Sequence, residues 1–158
     1  MQRSQLYYFT DGSITGGTTN IDATGNDLAN IIIGNAGNNV ITGNAGNDTL
    51  VGNAGDDYLD GGLGSDNLNG GTGNDIYIVD SISDVVTESV TNAIGGGIDT
   101  VRSTVTRTLG ANFDDLVLLA VTVDPLVLTL NNINGTGNEL ANNLTGYDGN
   151  NFLSGLAA

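Results

Sequence analysis

GNAGNNVIT GNAGNDTLV GNAGDDYLD GGLGSDNLN GGTGNDIYI runs from Gly34 to Ile78 as five consecutive blocks of nine residues. Glycine holds positions one and four in every block, ten times out of ten. Position eight is Ile41, Leu50, Leu59, Leu68 and Tyr77, always large and apolar. Position six is Asn39, Asp48, Asp57, Asp66 and Asp75. A low-complexity Gly/Asn linker does not hold such a phase. A short fixed period marks stacked units, each too small to bury an apolar face alone.

Each position has a physical role. Glycine, and asparagine after it, tolerates the positive φ angles of a tight turn. The first six residues of a block therefore read as a turn, and the last three as a short strand with one inward apolar side chain. Two blocks close one flattened coil of 18 residues, and coils stack as parallel strands about 4.8 Å apart. The expected fold class is all-β, a right-handed parallel β-roll or β-helix solenoid. Its narrow core is where the position-eight side chains of two sheets meet.

Residues 18 apart then lie one above the other on neighbouring coils, which pairs Asp48 with Asp66 and Asp57 with Asp75. Carboxylates about 5 Å apart repel each other, and turn carbonyls not used by strands surround them. A hard cation suits that arrangement. Ca²⁺ accepts six to eight carboxylate and carbonyl oxygens in tolerant geometry, whereas Mg²⁺ demands a tighter octahedron and retains its waters. Transition metals lack their preferred ligands here, because histidine and cysteine are absent.

Composition narrows the function further. Glycine (25) and asparagine (22) make up 47 of 158 residues, and three arginines face 18 acidic residues for a net charge of −15. Without lysine, histidine or cysteine there is no thiol nucleophile, imidazole base, Schiff-base lysine or Cys/His zinc site. Such an anion repels phosphate backbones and anionic lipid, which argues against nucleic-acid partners. The longest apolar run, Leu116 to Val121, is far below the roughly 20 residues of a membrane-spanning helix, so no membrane insertion is expected. The adjacent pairs Asp56/Asp57 and Asp114/Asp115 point to opposite faces of a strand and make poor acid–base couples, so the chain is not expected to be an enzyme.

The five blocks resemble the RTX, or hemolysin-type, calcium-binding nonapeptide repeat, whose pattern is G-G-x-G-x-D-x-U-x. The resemblance implies that one turn offers positions two, four and six to an ion, and the next coil positions one, three and six. Carried over, Asn44, Gly46 and Asp48 would face Gly61, Leu63 and Asp66. Likewise Asn53, Gly55 and Asp57 would face Gly70, Thr72 and Asp75. All but the aspartates would contribute backbone carbonyls. Asn39 in place of Asp would weaken a site shared with Asp57, and Asp84, which keeps position six after Ile78, offers a further site with Asp66. Two calcium sites are thus expected, with a third or fourth at these margins.

Around the blocks, residues 1–24 read as a cap or the end of a preceding unit, and residues 25–78 as the calcium-binding roll. Residues 79–134 read as an irregular β-rich solenoid or capping segment, and residues 135–158 as the start of a second, truncated array. Asn20–Gly43 and Asn132–Gly155 align at an offset of 112 with 13 of 24 residues identical, which suggests a segment of something larger. Asp99–Val105 alternates, placing Val101 and Val105 on one face; Leu116–Val121 is apolar on both faces, as in a covered central strand; Leu126, Leu128 and Leu130 alternate again. The expected function is a structural module that folds on binding Ca²⁺ outside the cell. The N-terminus lacks a secretory leader, and the resemblance implies export by type I secretion within a larger parent protein. The alternatives are an adhesin or surface-layer module contacting polysaccharide or cell surfaces, or the non-catalytic segment of a secreted hydrolase or epimerase.

Overall fold

A computed structural model describes residues 6–8, 12–13, 17–120 and 132–156, the first two stretches as backbone. The chain begins with β1 (Leu6–Tyr8), β2 (Gly12–Ser13), β3 (Asp22–Thr24), β4 (Ile31–Ile33) and β5 (Val40–Thr42). β6 (Thr49–Ala54), β7 (Tyr58–Asp60), β8 (Asn67–Thr72), β9 (Ile76–Val79) and β10 (Val85–Thr87) follow. After a 3₁₀ turn at Asn92–Ile94 come β11 (Thr100–Ser103), β12 (Arg107–Thr108) and β13 (Asp115–Leu118). β14 (Gly135–Thr136), β15 (Asn143–Thr145) and β16 (Leu153–Ser154) complete the described strands. Leu126, Leu128 and Leu130 lie outside the described residues.

The strands alternate between sheets, as a flattened coil requires. One sheet runs β1-β3-β5-β7-β9-β11-β13-β15, and the other β10-β8-β6-β4-β2. A third runs β12-β14-β16, and every pairing is parallel. Val40 pairs with Tyr58 and Tyr58 with Ile76, while Ile31 pairs with Thr49 and Thr49 with Asn67, each 18 residues on. The parallel β-roll expected from the nine-residue phase is the observed fold. Coil length then changes: Ile76 pairs with Thr100, Thr100 with Asp115, and Asp115 with Asn143.

Position eight makes the core. Ile32, Ile41, Leu50, Leu59, Leu68 and Tyr77 are all fully buried, and they continue into Val101 and Leu116. Burying one such side chain is worth about 1.5–3 kcal/mol, but each coil contributes only two. Two expectations change here. β13 buries Leu116 and Leu118 but leaves Asp115 and Val117 half-exposed, so it covers the core with one face only. β11 ends at Ser103, whose Oγ accepts from Val105 N–H at 3.2 Å, and Val105 reaches the core from beyond that bend.

The turns are tighter than a plain six-residue loop. Asn44 and Asn53 at position two adopt φ of 83°, and Gly46 and Gly55 at position four adopt 122° and 107°. A Cβ on Gly55 would sit 2.8 Å from the Gly37 carbonyl oxygen of the coil below. Glycine is needed there for conformation and for space together.

Candidate metal centre

Position six builds two columns along the edges of the coil stack. On one edge Asn30 N–H donates to Asp48 Oδ1 (2.7 Å), Asp48 N–H to Asp66 Oδ1 (2.8 Å) and Asp66 N–H to Asp84 Oδ1 (3.1 Å). On the other, Asn39 N–H donates to Asp57 Oδ1 (2.6 Å) and Asp57 N–H to Asp75 Oδ1 (2.8 Å). Each aspartate therefore spends one oxygen on the coil before it. The proposed partners Asp48/Asp66 and Asp57/Asp75 are brought together in this way, and all four are buried.

The second oxygen separates asparagine from aspartate. Asn30 Oδ1 accepts from Asn26 N–H at 2.7 Å and Asn39 Oδ1 from Asn35 N–H at 3.0 Å. The corresponding Oδ2 atoms of Asp48, Asp57, Asp66 and Asp75 are buried without any hydrogen-bond partner. An orphaned buried acceptor costs about 1–3 kcal/mol, and more when charged. These atoms do not face empty space. A Cβ on Gly43 would collide with Asp48 Oδ2 and with the Gly61 carbonyl, and one on Gly52 with Asp57 Oδ2 and the Gly70 carbonyl. Carboxylate and carbonyl oxygens thus converge beside position one. Unsatisfied, oxygen-only and anionic, they fit a hard divalent cation.

The other carbonyls assigned by resemblance are partly committed. Asn44 O accepts from Leu63 N–H (2.7 Å), Leu63 O from Gly46 N–H (2.9 Å) and Thr72 O from Gly55 N–H (2.8 Å). The expectation that turn carbonyls stay out of the ladder is corrected at these positions. β6 and β8 run past the three strand positions into the next block, pairing Asn53 with Gly71 and Ala54 with Thr72. A carbonyl keeps a second lone pair for an ion. The position-two asparagines add another feature: the Asn44 and Asn53 Nδ2 groups donate to the Gly25 and Gly34 carbonyls, both at 2.7 Å. Side-chain amides thus occupy the position-one carbonyls Gly25 and Gly34, upstream of Asp48.

A family model of the RTX calcium-binding nonapeptide repeat, in four copies, matches residues 24–59, 43–77 and 136–158. The chain is an RTX-type repeat protein. No curated protein and no solved structure matches it. The third matched stretch carries the 112-residue repeat, and its turns reproduce the asparagine form. Asn138 N–H donates to Asn142 Oδ1 and Tyr147 N–H to Asn151 Oδ1, both at 2.7 Å.

Electrostatics in this RTX roll follow from burial. Burial pushes Asp57 up to about 7, aided by the Asp75 and Asp56 charges and opposed by the Asn39 N–H. Burial likewise raises Asp66 and Asp75 to about 6, and Asp48 in the same direction. Desolvation disfavours the charged form, and stacked like charges add to it. A bound cation reverses both effects.

Two residues after Ile78 depart from the expected pattern. Asp84 keeps its place in the first column, but its Oδ2 accepts from Asp80 (3.3 Å) and Ser81 N–H (3.1 Å). Arg107 Nη1 also donates to the Asp84 carbonyl at 2.9 Å. That turn closes on its own N–H groups, as the asparagine turns do. Asp99 continues the second column, accepting from Asp75 N–H at 2.9 Å, and its Oδ2 is another buried orphan. Sequence phase missed it, because 24 residues rather than 18 separate it from Asp75. The Gly-Gly-Gly-x-Asp ending at Asp99 was the available signal.

Proposed function

We propose that this chain, a calcium-binding β-roll module, folds on binding Ca²⁺ outside the cell, as a structural rather than catalytic part of a larger exported protein. The observation that carries this reading is the set of buried aspartate Oδ2 atoms with no partner. Asp48/Asp66 and Asp57/Asp75 would hold the ions, with carbonyls of Asn44, Gly46, Gly61 and Leu63 at one pair and of Asn53, Gly55, Gly70 and Thr72 at the other. Asn39 and Asp84 lie at the margins: Asn39 Oδ1 and Asp84 Oδ2 already accept from N–H groups of their own turns. Calcium supplies the positive charge that these carboxylates lack.

The energetics favour a switch. Without the ion, a net charge of −15 and stacked buried carboxylates oppose compaction. Glycine-rich turns lose much entropy on ordering, and two core side chains per coil offset little of it. Ion affinity then becomes folding free energy. Extracellular calcium modules bind in the range of about 10⁻⁴–10⁻³ M, empty at cytosolic calcium and filled outside. Export unfolded through a type I channel is consistent with such a switch.

Calcium titration followed by circular dichroism, with EDTA reversal, tests this. The expected result is a calcium-dependent gain of β signal that Asp48/Asp57/Asp66/Asp75→Asn abolishes. An EDTA-treated chain that is already fully folded and gains nothing from calcium would sink the proposal. A second reading, contact with polysaccharide or cell surfaces, draws on an open polar trough of about 770 Å³ along one edge. Its lining includes Thr18, Asn20, Asn38, Asp56, Tyr58 and Asn74. Glycan-array binding lost on Tyr58→Ala would support it, and an array without signal would remove it.

A further inference from the structure

We propose that Asp75, Glu88 and Asp99 form a separate calcium site at the downstream end of the roll. Two of its three carboxylates lie outside the nonapeptide blocks, so it goes beyond the paired sites proposed above. One carboxylate oxygen from each residue lies within 4.8 Å of the others, and all three residues are buried. Asp75 and Asp99 are each 0% exposed, and the Oδ2 of each has no hydrogen-bond partner.

The remaining atoms hold the three groups in place. Asp75 Oδ1 accepts from Asp57 N–H and Asp99 Oδ1 from Asp75 N–H, which leaves both Oδ2 atoms free for a ligand. Glu88 Oε1 accepts from Val90 N–H at 2.8 Å, and its Oε2 from the Tyr77 hydroxyl at 2.9 Å. Gly71 N–H approaches the same Oε2 at 3.4 Å. Tyr77 is the one aromatic at position eight of the roll. Gly70 N–H donates to its hydroxyl at 2.8 Å, and a Cβ on Gly70 would collide with that hydroxyl and with Asp75 Oδ2 together. The hydroxyl therefore holds Glu88 and lies beside the same Gly70 position as Asp75 Oδ2.

Among the described residues, no basic side chain acts on Asp75 or Asp99. The charges acting on Asp75 come from Glu88 and Asp56, and those on Asp99 from Glu88, Asp75 and Asp114, all negative. Buried like charges at such distances persist only with a counter-ion or a proton. Oxygen-only, carboxylate-rich surroundings select a hard cation, and tolerance of irregular geometry favours Ca²⁺ over Mg²⁺. The ion would join the 24-residue coil between Asp75 and Asp99 to the regular coils before it. It would act as a staple where the nine-residue phase is lost.

The test compares the full chain with Glu88→Gln and with Asp48→Asn/Asp57→Asn, by calcium stoichiometry and by Tb³⁺ luminescence sensitised through tyrosine. Glu88→Gln should bind one ion fewer than the parent. The Asp48/Asp57 variant should keep one ion, and its sensitised Tb³⁺ signal should fall when Tyr77→Phe is added. Unchanged stoichiometry in Glu88→Gln, or no ion left in the Asp48/Asp57 variant, overturns the proposal and leaves the paired sites standing. Loss of one ion in Glu88→Gln with none lost in the Asp48/Asp57 variant upholds this site and overturns the pairs. Should Glu88→Gln fail to fold, the Tyr77-dependent Tb³⁺ signal decides.

Discussion

Asp75 N–H donates to Asp99 Oδ1 at 2.9 Å across 24 residues, the bond that Asp57 N–H makes to Asp75 Oδ1 at 2.8 Å across 18. The column of carboxylates is thus indifferent to coil length. It is fixed by the parallel register of β7, β9 and β11, which sets the same edge on every coil. Six extra residues bulge into the segment between Asp75 and Asp99 without breaking the stack.

Asparagine at position six should relieve the calcium-free chain while removing its calcium response. Asn39 already bonds the Asn35 N–H that an aspartate would leave unpaired. Asp48→Asn/Asp57→Asn should raise stability in EDTA by about 1–3 kcal/mol, read as a higher urea midpoint. The calcium-induced shift of that midpoint should shrink. A lower midpoint in EDTA would contradict the reading of Asp48 and Asp57 Oδ2 as unsatisfied acceptors.

Acid should stabilise the calcium-free fold. The unfolded aspartate value is 3.8, whereas Asp66 and Asp75 sit at about 6, Asp57 at about 7 and Asp99 at about 8. Raised folded values mean that the native state holds more protons. Their stabilising contribution is complete below pH 3.8 and is lost as pH rises through about 6 to 8. Thermal melts in EDTA should therefore rise from pH 8 toward pH 5. Calcium affinity should move oppositely, falling as pH drops through the same window, because ligands must release protons.

Glycine substitutions should divide by site. Gly55→Ala places a methyl at φ 107° and 2.8 Å from the Gly37 carbonyl oxygen. A destabilisation of at least about 1–3 kcal/mol is expected. Gly155→Ala, with nothing within 4 Å, should leave the melting curve unchanged. Equal effects at both positions would argue against stacked tight turns.

Hydrogen exchange should grade along the roll. At subsaturating calcium the Asn26 and Asn35 amides, held by Asn30 and Asn39 Oδ1, should exchange more slowly than the Gly43–Asp48 and Gly52–Asp57 turns. Calcium should protect those aspartate turns most. Uniform protection with and without calcium would remove the distinction between the two turn types.

The nine-residue phase alone determined the coil length, the parallel stacking, the inward Ile41–Leu50–Leu59–Leu68–Tyr77 column and the neighbours 18 apart. Period and residue type suffice for these because each unit can bury its one apolar side chain only against its neighbours. Tertiary structure decided what lies beyond strict phase. Asp99 joins the column although its spacing breaks the period, since register follows backbone pairing and not residue count. Glu88 reaches Asp75 and Asp99 from a segment with no repeat, a juxtaposition that no linear spacing encodes. Asp84 keeps the phase yet has its Oδ2 taken by local N–H groups. Whether a carboxylate oxygen is left for an ion depends on which donors the folded backbone presents to it.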